Sequence, residues 1–92
     1  MSRTITRFKV KDFDTFKHAF AQGVALRQAH GGQGAQLFHN SSDPHDVLLI
    51  IEWTNLEQAR AFLGSGELRQ RQQEAGVLGP PELYDEVESY PA

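Results

Sequence analysis

The sequence predicts an α+β sandwich, in which a four-stranded antiparallel sheet carries helices on one face. One observation is the order of elements along 92 residues: strand, helix, strand, strand, helix, strand. Two strand–helix–strand units of this kind are joined by right-handed crossovers. The other observation is the segment Val47 to Trp53, which is apolar on both faces of a period-2 pattern. Both faces of that strand therefore have to be covered.

The first half of the chain contains a strand, a helix and a second strand. The first strand is expected from Arg3 to Val10, because its β-branched and aromatic residues suit a pleated surface. Asp12 is a good N-cap for the helix. Gly31-Gly32 is expected to end it, and a second strand should follow over residues 33–40. The apolar stripe of the helix is expected to be Phe13, Phe16, Phe20 and Val24.

A hairpin and a second helix are expected next. Residues 41–46 are polar and typical of a turn that joins the second strand to the third. Asn55 is placed to cap the second helix. Gln58 resembles the reciprocal half of a capping box. The buried face of this helix is expected to be Leu56, Ala59, Phe62 and Leu63.

The last part of the chain predicts a further helical piece and a final strand. Ser65 can cap that piece, and Gly76 is expected to stop it. Gly79-Pro80-Pro81 is interpreted as a stiff connector, because each proline fixes φ near −65°. The final strand is expected over residues 82–90.

These elements make one ferredoxin-like βαββαβ domain that spans residues 1–92. Its helices cover one face of the sheet, and the chain is too short to supply a layer for the other face. An exposed apolar face favours association, and a small domain gains stability from it. The sequence therefore predicts a homodimer, so that the first partner of the chain is a second copy of itself.

Composition excludes several classes of function. The formal charge of −3 and the scattered positions of nine Lys and Arg residues argue against a nucleic-acid partner. The chain has no Cys, which excludes disulfides, a thiolate metal site and a Cys nucleophile. No apolar run approaches the ~20 residues that span a bilayer, and the N-terminus has no apolar signal core. A cytoplasmic protein without a membrane partner is expected.

His39 and Glu52 are the candidate catalytic residues. His39 lies on the second strand and would act as a general base if it faces a pocket. A one-residue change of hairpin register would instead make it a surface histidine. Glu52 interrupts the apolar third strand, and a buried carboxylate is costly unless it is paired. It is expected to pair with Arg7 or Arg3, whereas an unpaired Glu52 would have a raised pKa and act as an acid or base.

Trp53 and Tyr84 are the candidate substrate-binding residues. Trp53 could stack on a planar substrate, and the alternative is a large core or rim residue. Tyr84 could donate a hydrogen bond to a ligand or pack at the dimer seam. No metal site is expected, because the spacing of Asp43, His45 and Asp46 matches no known metal geometry.

Segments along nearly the whole chain resemble the antibiotic-biosynthesis-monooxygenase-like superfamily of small dimeric α+β barrel proteins. Most of the resemblance lies in packing and turn residues, which favour a fold more strongly than a function. The segments are residues 10–17, Asn40 with Asp43-Pro44, residues 47–52, residues 59–63 with Ser65, Glu67-Leu68 and Gly76-Val77, and residues 79–82.

The resemblance implies a homodimer whose two sheets form a barrel, with a pocket in each subunit between sheet and helices. It implies no cofactor, since some members oxidise polyketide-like aromatics with O₂ and neither metal nor flavin. Other members degrade haem. Those members need an Asn on the first strand and a Trp and a His on the second helix, and this chain has Thr6-Arg7-Phe8 in the first strand and neither residue over 56–75.

Two functions remain open on the sequence alone. The first is a cofactor-independent monooxygenase in which His39 or Glu52 removes a proton from an aromatic substrate held by Trp53 and Tyr84. The second is a non-catalytic dimer that binds a small apolar ligand or serves as an interaction module. An open pocket with convergent polar groups would favour the enzyme, and a filled helix–sheet layer would favour the interaction module.

Overall fold

The computed structural model describes residues 2–92, and it confirms the α+β, ferredoxin-like arrangement. Four antiparallel strands form one sheet in the order β2-β3-β1-β4, and helices lie on one of its faces. No helix in this part of the chain is long and apolar enough to cross a membrane. The elements are β1 (Ser2–Val10), α1 (Phe13–Gln22), α2 (Val24–Ala29), β2 (Gly32–Asn40), β3 (Asp43–Trp53), α3 (Leu56–Leu63), α4 (Gly66–Glu74) and β4 (Val77–Asp85).

The central strands β1 and β3 pair in register from Ser2 opposite Trp53 to Lys9 opposite Asp46. Successive side chains of a strand point to opposite faces, so each of these strands contributes to both sides of the sheet. The helix-covered side is the core, and the helix-free side carries a mixture of charged and apolar groups. The core consists of Phe8, Val10, Phe16, Val47, Leu49, Ile51, Trp53, Ala59, Phe62 and Ala75.

The first helical region begins as predicted and then divides. Asp12 caps α1, because its side chain accepts a hydrogen bond of 2.9 Å from the backbone N–H of Thr15. The expectation of one continuous helix up to Gly31 is wrong, since α1 ends at Gln22 and α2 starts at Val24. Gly23 lies at the break, and its backbone N–H donates to the carbonyl of Phe20.

The hairpin turn is shorter than its polar composition predicted. Strand β3 starts at Asp43, so that Ser41 and Ser42 alone connect β2 to β3. Residues 43–46 extend the strand because their acidic side chains have partners on β1. Asp46 pairs with Arg7 at 3.0 Å and Asp43 with Lys9 at 3.3 Å.

The second half of the chain confirms the caps and corrects the last strand. Asn55 accepts a hydrogen bond from the backbone N–H of Gln58, and Ser65 accepts one from that of Leu68. Gly76 has φ of 86° directly after α4, as expected for a helix stop. Strand β4 runs over residues 77–85 instead of 82–90, and it therefore includes the predicted Gly-Pro-Pro connector.

Prolines are tolerated within β4 because it is an edge strand. A proline has no N–H to donate to a neighbouring strand, and edges and bulges are the places where this matters least. Pro80 and Pro81 lie where the pairing of β4 with β1 shifts, between Arg7 and Lys9. Residues 86–92 follow the strand without regular secondary structure.

Two threonines of β1 are buried on the core side and differ in one respect. The Thr4 hydroxyl accepts a hydrogen bond of 2.9 Å from the indole N–H of Trp53, and both residues are fully buried. Thr6 is 6% exposed, and its hydroxyl is buried without a hydrogen-bond partner. Thr4 thus satisfies a buried hydrogen-bond donor, whereas the buried hydroxyl of Thr6 has no hydrogen-bond partner.

We expect Thr4→Val to lower the free energy of unfolding by about 1–3 kcal/mol, because the Trp53 N–H would stay buried without an acceptor. Thr6→Val is the matched variant on the same strand and face. It should be neutral or stabilise the protein by about 1 kcal/mol, since it removes an unpaired buried hydroxyl. Urea unfolding followed by Trp53 fluorescence measures both, with Thr4→Ser as the control. Equal destabilisation by the two valine variants would contradict this interpretation.

Asp46 links the central strands on the helix-free side of the sheet. Its carboxylate accepts hydrogen bonds from both Arg7 Nε, at 3.1 Å, and Arg7 Nη2, at 3.0 Å. Asn40 Nδ2 on β2 donates to the same carboxylate at 3.3 Å. The hydrogen bonds from Arg7 are the main reason that the pKa of Asp46 lies below its ordinary value of 3.8.

Acid should therefore weaken the protein through Asp46. A carboxyl group whose pKa is lower in the folded state stabilises the fold above its unfolded pKa, here 3.8, and this stabilisation is lost as the pH falls through the folded pKa. We expect Asp46→Asn to be less stable than the wild type at neutral pH and to lose less stability on acidification. Urea midpoints measured between about pH 5 and pH 2 test this, and parallel pH profiles would contradict it.

Candidate functional site

A cavity of about 340 Å³ lies between the helix-covered face of the sheet and the four helices. Its walls are mainly apolar and aromatic. The ring pair Phe8 and Phe16 packs edge to face with centroids 5.0 Å apart, and Phe16 stacks on Phe20 at 5.8 Å. These and other apolar side chains make a lining suited to a flat apolar molecule: Phe8, Phe16, Phe20, Leu49, Ile51 and Phe62.

The cavity exists because the last helix is nearly devoid of apolar residues. Helix α4 has the sequence GELRQRQQE and buries none of its residues. Leu68 is its only apolar side chain, and it lines the cavity without filling it. The polar residues Arg71, Gln72 and Glu74 line the cavity on this side.

Thr6 lines this cavity and carries a hydroxyl that is itself buried. Thr6 lines it from β1, and its Oγ1 is buried without a partner among residues 2–92. A buried polar group that lacks a hydrogen bond costs free energy. A ligand donor or acceptor in the cavity would satisfy it once the side chain turns its hydroxyl toward the ligand.

The guanidinium of Arg27 places a positive charge at the same cavity. Its guanidinium carbon lies 3.7 Å from the centroid of the Phe20 ring, and both residues line the cavity. Partial burial lowers the pKa of Arg27 from its ordinary value. None of the ion pairs among residues 2–92 includes Arg27.

Two of the residues predicted from the sequence lie on the helix side of the sheet, away from the cavity. His39 is exposed on the edge strand β2, where its ring contacts Phe13 with centroids 4.8 Å apart. Its Nδ1 lies 3.0 Å from the carbonyl oxygen of Asn40. Trp53 is fully buried against Thr4 and Phe62, which matches its interpretation as a core residue.

The other two predicted residues lie on the helix-free side. Tyr84 donates a hydrogen bond to Glu82, and this contact raises the pKa of Tyr84. Glu52 faces Arg3 in the strand register, but the ion pairs expected for Glu52 are not formed. Arg3 pairs with Glu86 at 2.5 Å, and Arg7 pairs with Asp46 at 3.0 Å.

The structure therefore does not bring the four predicted residues together. His39, Glu52, Trp53 and Tyr84 are divided between the two faces of the sheet, and none of them lines the cavity. Their assignment to catalysis and substrate binding stays a prediction. Among residues 2–92, no group of three or more His, Asp or Glu side chains is placed to hold a metal ion.

Thr6 and Arg27 are not among the site residues predicted from the sequence, although each has a recognisable signal there. Thr6 follows Thr4 at the period-2 spacing that also places Phe8 on the core face. Arg27 is seven residues after Phe20, which in the continuous helix that the sequence predicts is two turns and therefore close to the same apolar stripe. In both cases, a polar residue at a position where the pattern calls for an apolar one indicated a candidate site residue.

Solved structures of known proteins share this fold. The candidate antibiotic biosynthesis monooxygenase of Bordetella bronchiseptica has a TM-score of 0.80 at 19% identity, and the match covers 97% of each chain. SnoaB, a cofactor-independent oxygenase from Streptomyces nogalater, has a TM-score of 0.72 at 18% identity over 99% of this chain and 97% of its own. PA3566 from Pseudomonas aeruginosa has a TM-score of 0.68 at 16% identity over 97% and 94%.

These identities are low enough that the three structures show the fold alone. No curated protein matches the sequence. The family described as antibiotic biosynthesis monooxygenase matches residues 1–74, which is more than half of the chain. The chain therefore belongs to the antibiotic biosynthesis monooxygenase family.

Proposed function

We propose that the protein is a cofactor-independent oxygenase that holds a small polyketide-like aromatic substrate in the cavity beside Thr6. The observation that carries this proposal is the apolar cavity with one buried, unpartnered hydroxyl. An apolar pocket with a few well-placed polar groups is the usual form of a small-molecule site. Membership of the family and the activity stated for SnoaB support the reaction type.

The reaction needs a substrate that can give up a proton and electrons without help from a cofactor. Anthrone is such a compound, because loss of a proton from its CH₂ group gives a carbanion delocalised onto the ketone oxygen. The carbanion forms a C–O bond with O₂, and protonation gives a hydroperoxide. Loss of water from the hydroperoxide leaves a quinone. Anthrone and O₂ thus yield anthraquinone and H₂O, with O₂ as the oxidant.

Thr6 is proposed to bind the substrate oxygen. Its hydroxyl can donate a hydrogen bond to the ketone, and that bond strengthens as negative charge develops on the oxygen. The aromatic walls would exclude water from the carbanion, which makes this electrostatic effect larger. Glu74 is the one carboxylate among the described residues that line the cavity, and we propose it as the proton acceptor.

The sequence alone predicts that His39 or Glu52 removes the proton and that Trp53 and Tyr84 bind the substrate. Within one subunit those side chains have no access to the cavity. Trp53 would contribute indirectly through its packing against Phe62, which does line the cavity. The proposal therefore expects activity to depend on Thr6 and Glu74 and to survive replacement of His39 or Glu52.

We expect the purified protein to consume O₂ with anthrone and to form anthraquinone. Thr6→Val should lower kcat/KM about 10- to 100-fold, the effect of losing one hydrogen bond to a developing charge, whereas Thr6→Ser keeps the hydroxyl and the activity. Glu74→Gln should lower kcat, and His39→Ala and Glu52→Ala should leave it unchanged. An oxygen electrode and quinone absorbance measure the wild type and all five variants.

Binding of anthrone without oxygen uptake would contradict the oxygenase and support the non-catalytic ligand-binding protein instead. Undiminished activity in Thr6→Val would remove the proposed role of its hydroxyl. Loss of activity in His39→Ala or Glu52→Ala would return the catalytic role to those residues.

We also propose that the active form is a homodimer that packs the helix-free faces of two sheets into an α+β barrel. This face has an apolar centre flanked by charged groups, and part of that centre is exposed to solvent. Phe38 and Tyr84 are each 47% exposed on it. A second copy of the same face would cover these side chains, together with Ile5, Leu48 and Ile50.

We expect a native mass spectrum to give twice the chain mass of 10.3 kDa. Ile50→Glu should yield a folded monomer, because it would place a charge at the centre of the proposed interface. Ala61→Glu is the control, since Ala61 is exposed on α3 on the other side of the sheet. A wild-type monomer at micromolar concentration would contradict the barrel.

A further inference from the structure

We infer that the ligand of the cavity carries a negatively charged group, and that Arg27 is the residue that binds it. The ligand class is an aromatic acid whose rings lie in the apolar cavity and whose carboxylate or equivalent anion contacts the guanidinium. This inference rests on the proposed function because it uses the same cavity. It adds the charge of the ligand and the residue that selects for it.

The first observation is that neighbouring residues hold the guanidinium of Arg27 in a defined position. It lies on the face of Phe20, with its central carbon 3.7 Å from the ring centroid. A cation over an aromatic face is held by electrostatic attraction. Gly23 provides the space, because a Cβ atom at that position would come within 2.8 Å of Arg27 Nη1. The break between α1 and α2 therefore falls at the residue whose missing side chain admits the guanidinium.

The second observation is that this cation lacks an anionic partner. Four other arginines form ion pairs: Arg3 with Glu86, Arg7 with Asp46, Arg60 with Asp85 and Arg71 with Glu67. Arg27 takes part in no ion pair and no side-chain hydrogen bond among residues 2–92, although it is more buried than a surface arginine. A partly buried cation without a partner is a costly arrangement unless something binds it.

The other charged groups of the cavity already have neighbours on their own helix. Arg71 lies 3.9 Å from Glu67, and Glu74 accepts a hydrogen bond from Gln70 at 3.4 Å. Among the described lining residues, Arg27 is thus the charged group without a polar partner. An entering anion would meet that cation without first breaking an internal ion pair.

The third observation is a second opening beside the same guanidinium. Arg27 and Phe20 also line a neighbouring cavity of about 270 Å³ next to strand β2, where Gly32, Gly34 and Ala35 leave space. The cation therefore lies at the boundary between the two cavities. A ligand could keep its rings in the first cavity and place its anionic end at this boundary.

Arginine suits this role better than lysine because its planar guanidinium makes two parallel hydrogen bonds to a carboxylate. Its contact with the Phe20 ring uses none of the guanidinium N–H groups as hydrogen-bond donors to other side chains among residues 2–92. The predicted ligand combines a fused aromatic system with an acidic substituent at its edge. A neutral aromatic of the same shape would bind the walls alone.

Two matched probes test the inference by isothermal titration calorimetry. 2-Naphthoate and 2-naphthamide have the same ring system and nearly the same shape, and they differ in charge. The wild type should bind the naphthoate at least about tenfold more tightly, the worth of a charged hydrogen bond. Arg27→Gln should remove this preference, because it should weaken naphthoate binding far more than amide binding.

Two further variants control for the loss of charge and test the site without altering Arg27. Arg69→Gln is the charge-matched control, because Arg69 is exposed on α4 and does not line the cavity. It should keep the tenfold preference. Gly23→Ala should reduce the preference by displacing the guanidinium, which tests the same site while Arg27 itself is unaltered.

Each outcome separates this inference from the proposed function. Equal affinities of the wild type for the two probes, or a preference that survives in Arg27→Gln, would overturn the role of Arg27 and leave the cavity as an aromatic site. Failure of the wild type to bind either probe would overturn the ligand cavity itself, and with it the substrate site proposed beside Thr6.

Discussion

The antiparallel pairing of β1 with β3 is the constraint on which the rest of the structure depends. Eight consecutive pairs, from Ser2 with Trp53 to Lys9 with Asp46, fix which side chain points to which face. A slip of one residue would exchange the two faces entirely. Two contacts secure the register from opposite sides. The buried hydrogen bond between Trp53 and Thr4 lies in the core, and the ion pair between Arg7 and Asp46 lies on the helix-free face.

The helix side of this sheet is covered but not filled. Helix α4 supplies a single apolar side chain, and the first helical region is interrupted at Gly23. A chain selected for packing alone would have closed such a space, because an internal void forfeits dispersion contacts. The buried hydroxyl of Thr6 and the partnerless guanidinium of Arg27 add to that cost. Local features that weaken a fold tend to occur at functional sites, and all of these meet in one cavity.

Local sequence signals predicted most of the fold, but they failed where contacts between distant residues determine the secondary structure. The caps at Asp12, Asn55 and Ser65 follow from hydrogen bonds within four residues, and the structure contains all three. The polar residues 43–46 have the composition of a turn, but ion pairs to β1 make them part of β3. Residues 79–81 have the composition of a linker, but edge pairing with β1 makes them part of β4. Neither outcome can be derived from a window of neighbouring residues.

The βαββαβ order and the two-faced central strand could be predicted from periodicity and capping, which are local properties of the chain. Sequence segments along the chain also carried the resemblance that led to the family. The position of the site depends on tertiary contacts. The tertiary structure separated His39 and Trp53 from Glu52 and Tyr84, because alternate side chains of paired strands face opposite sides. It also brought Thr6 of β1 and Arg27 of α2 to one cavity, since that proximity is set by how α2 packs across the sheet.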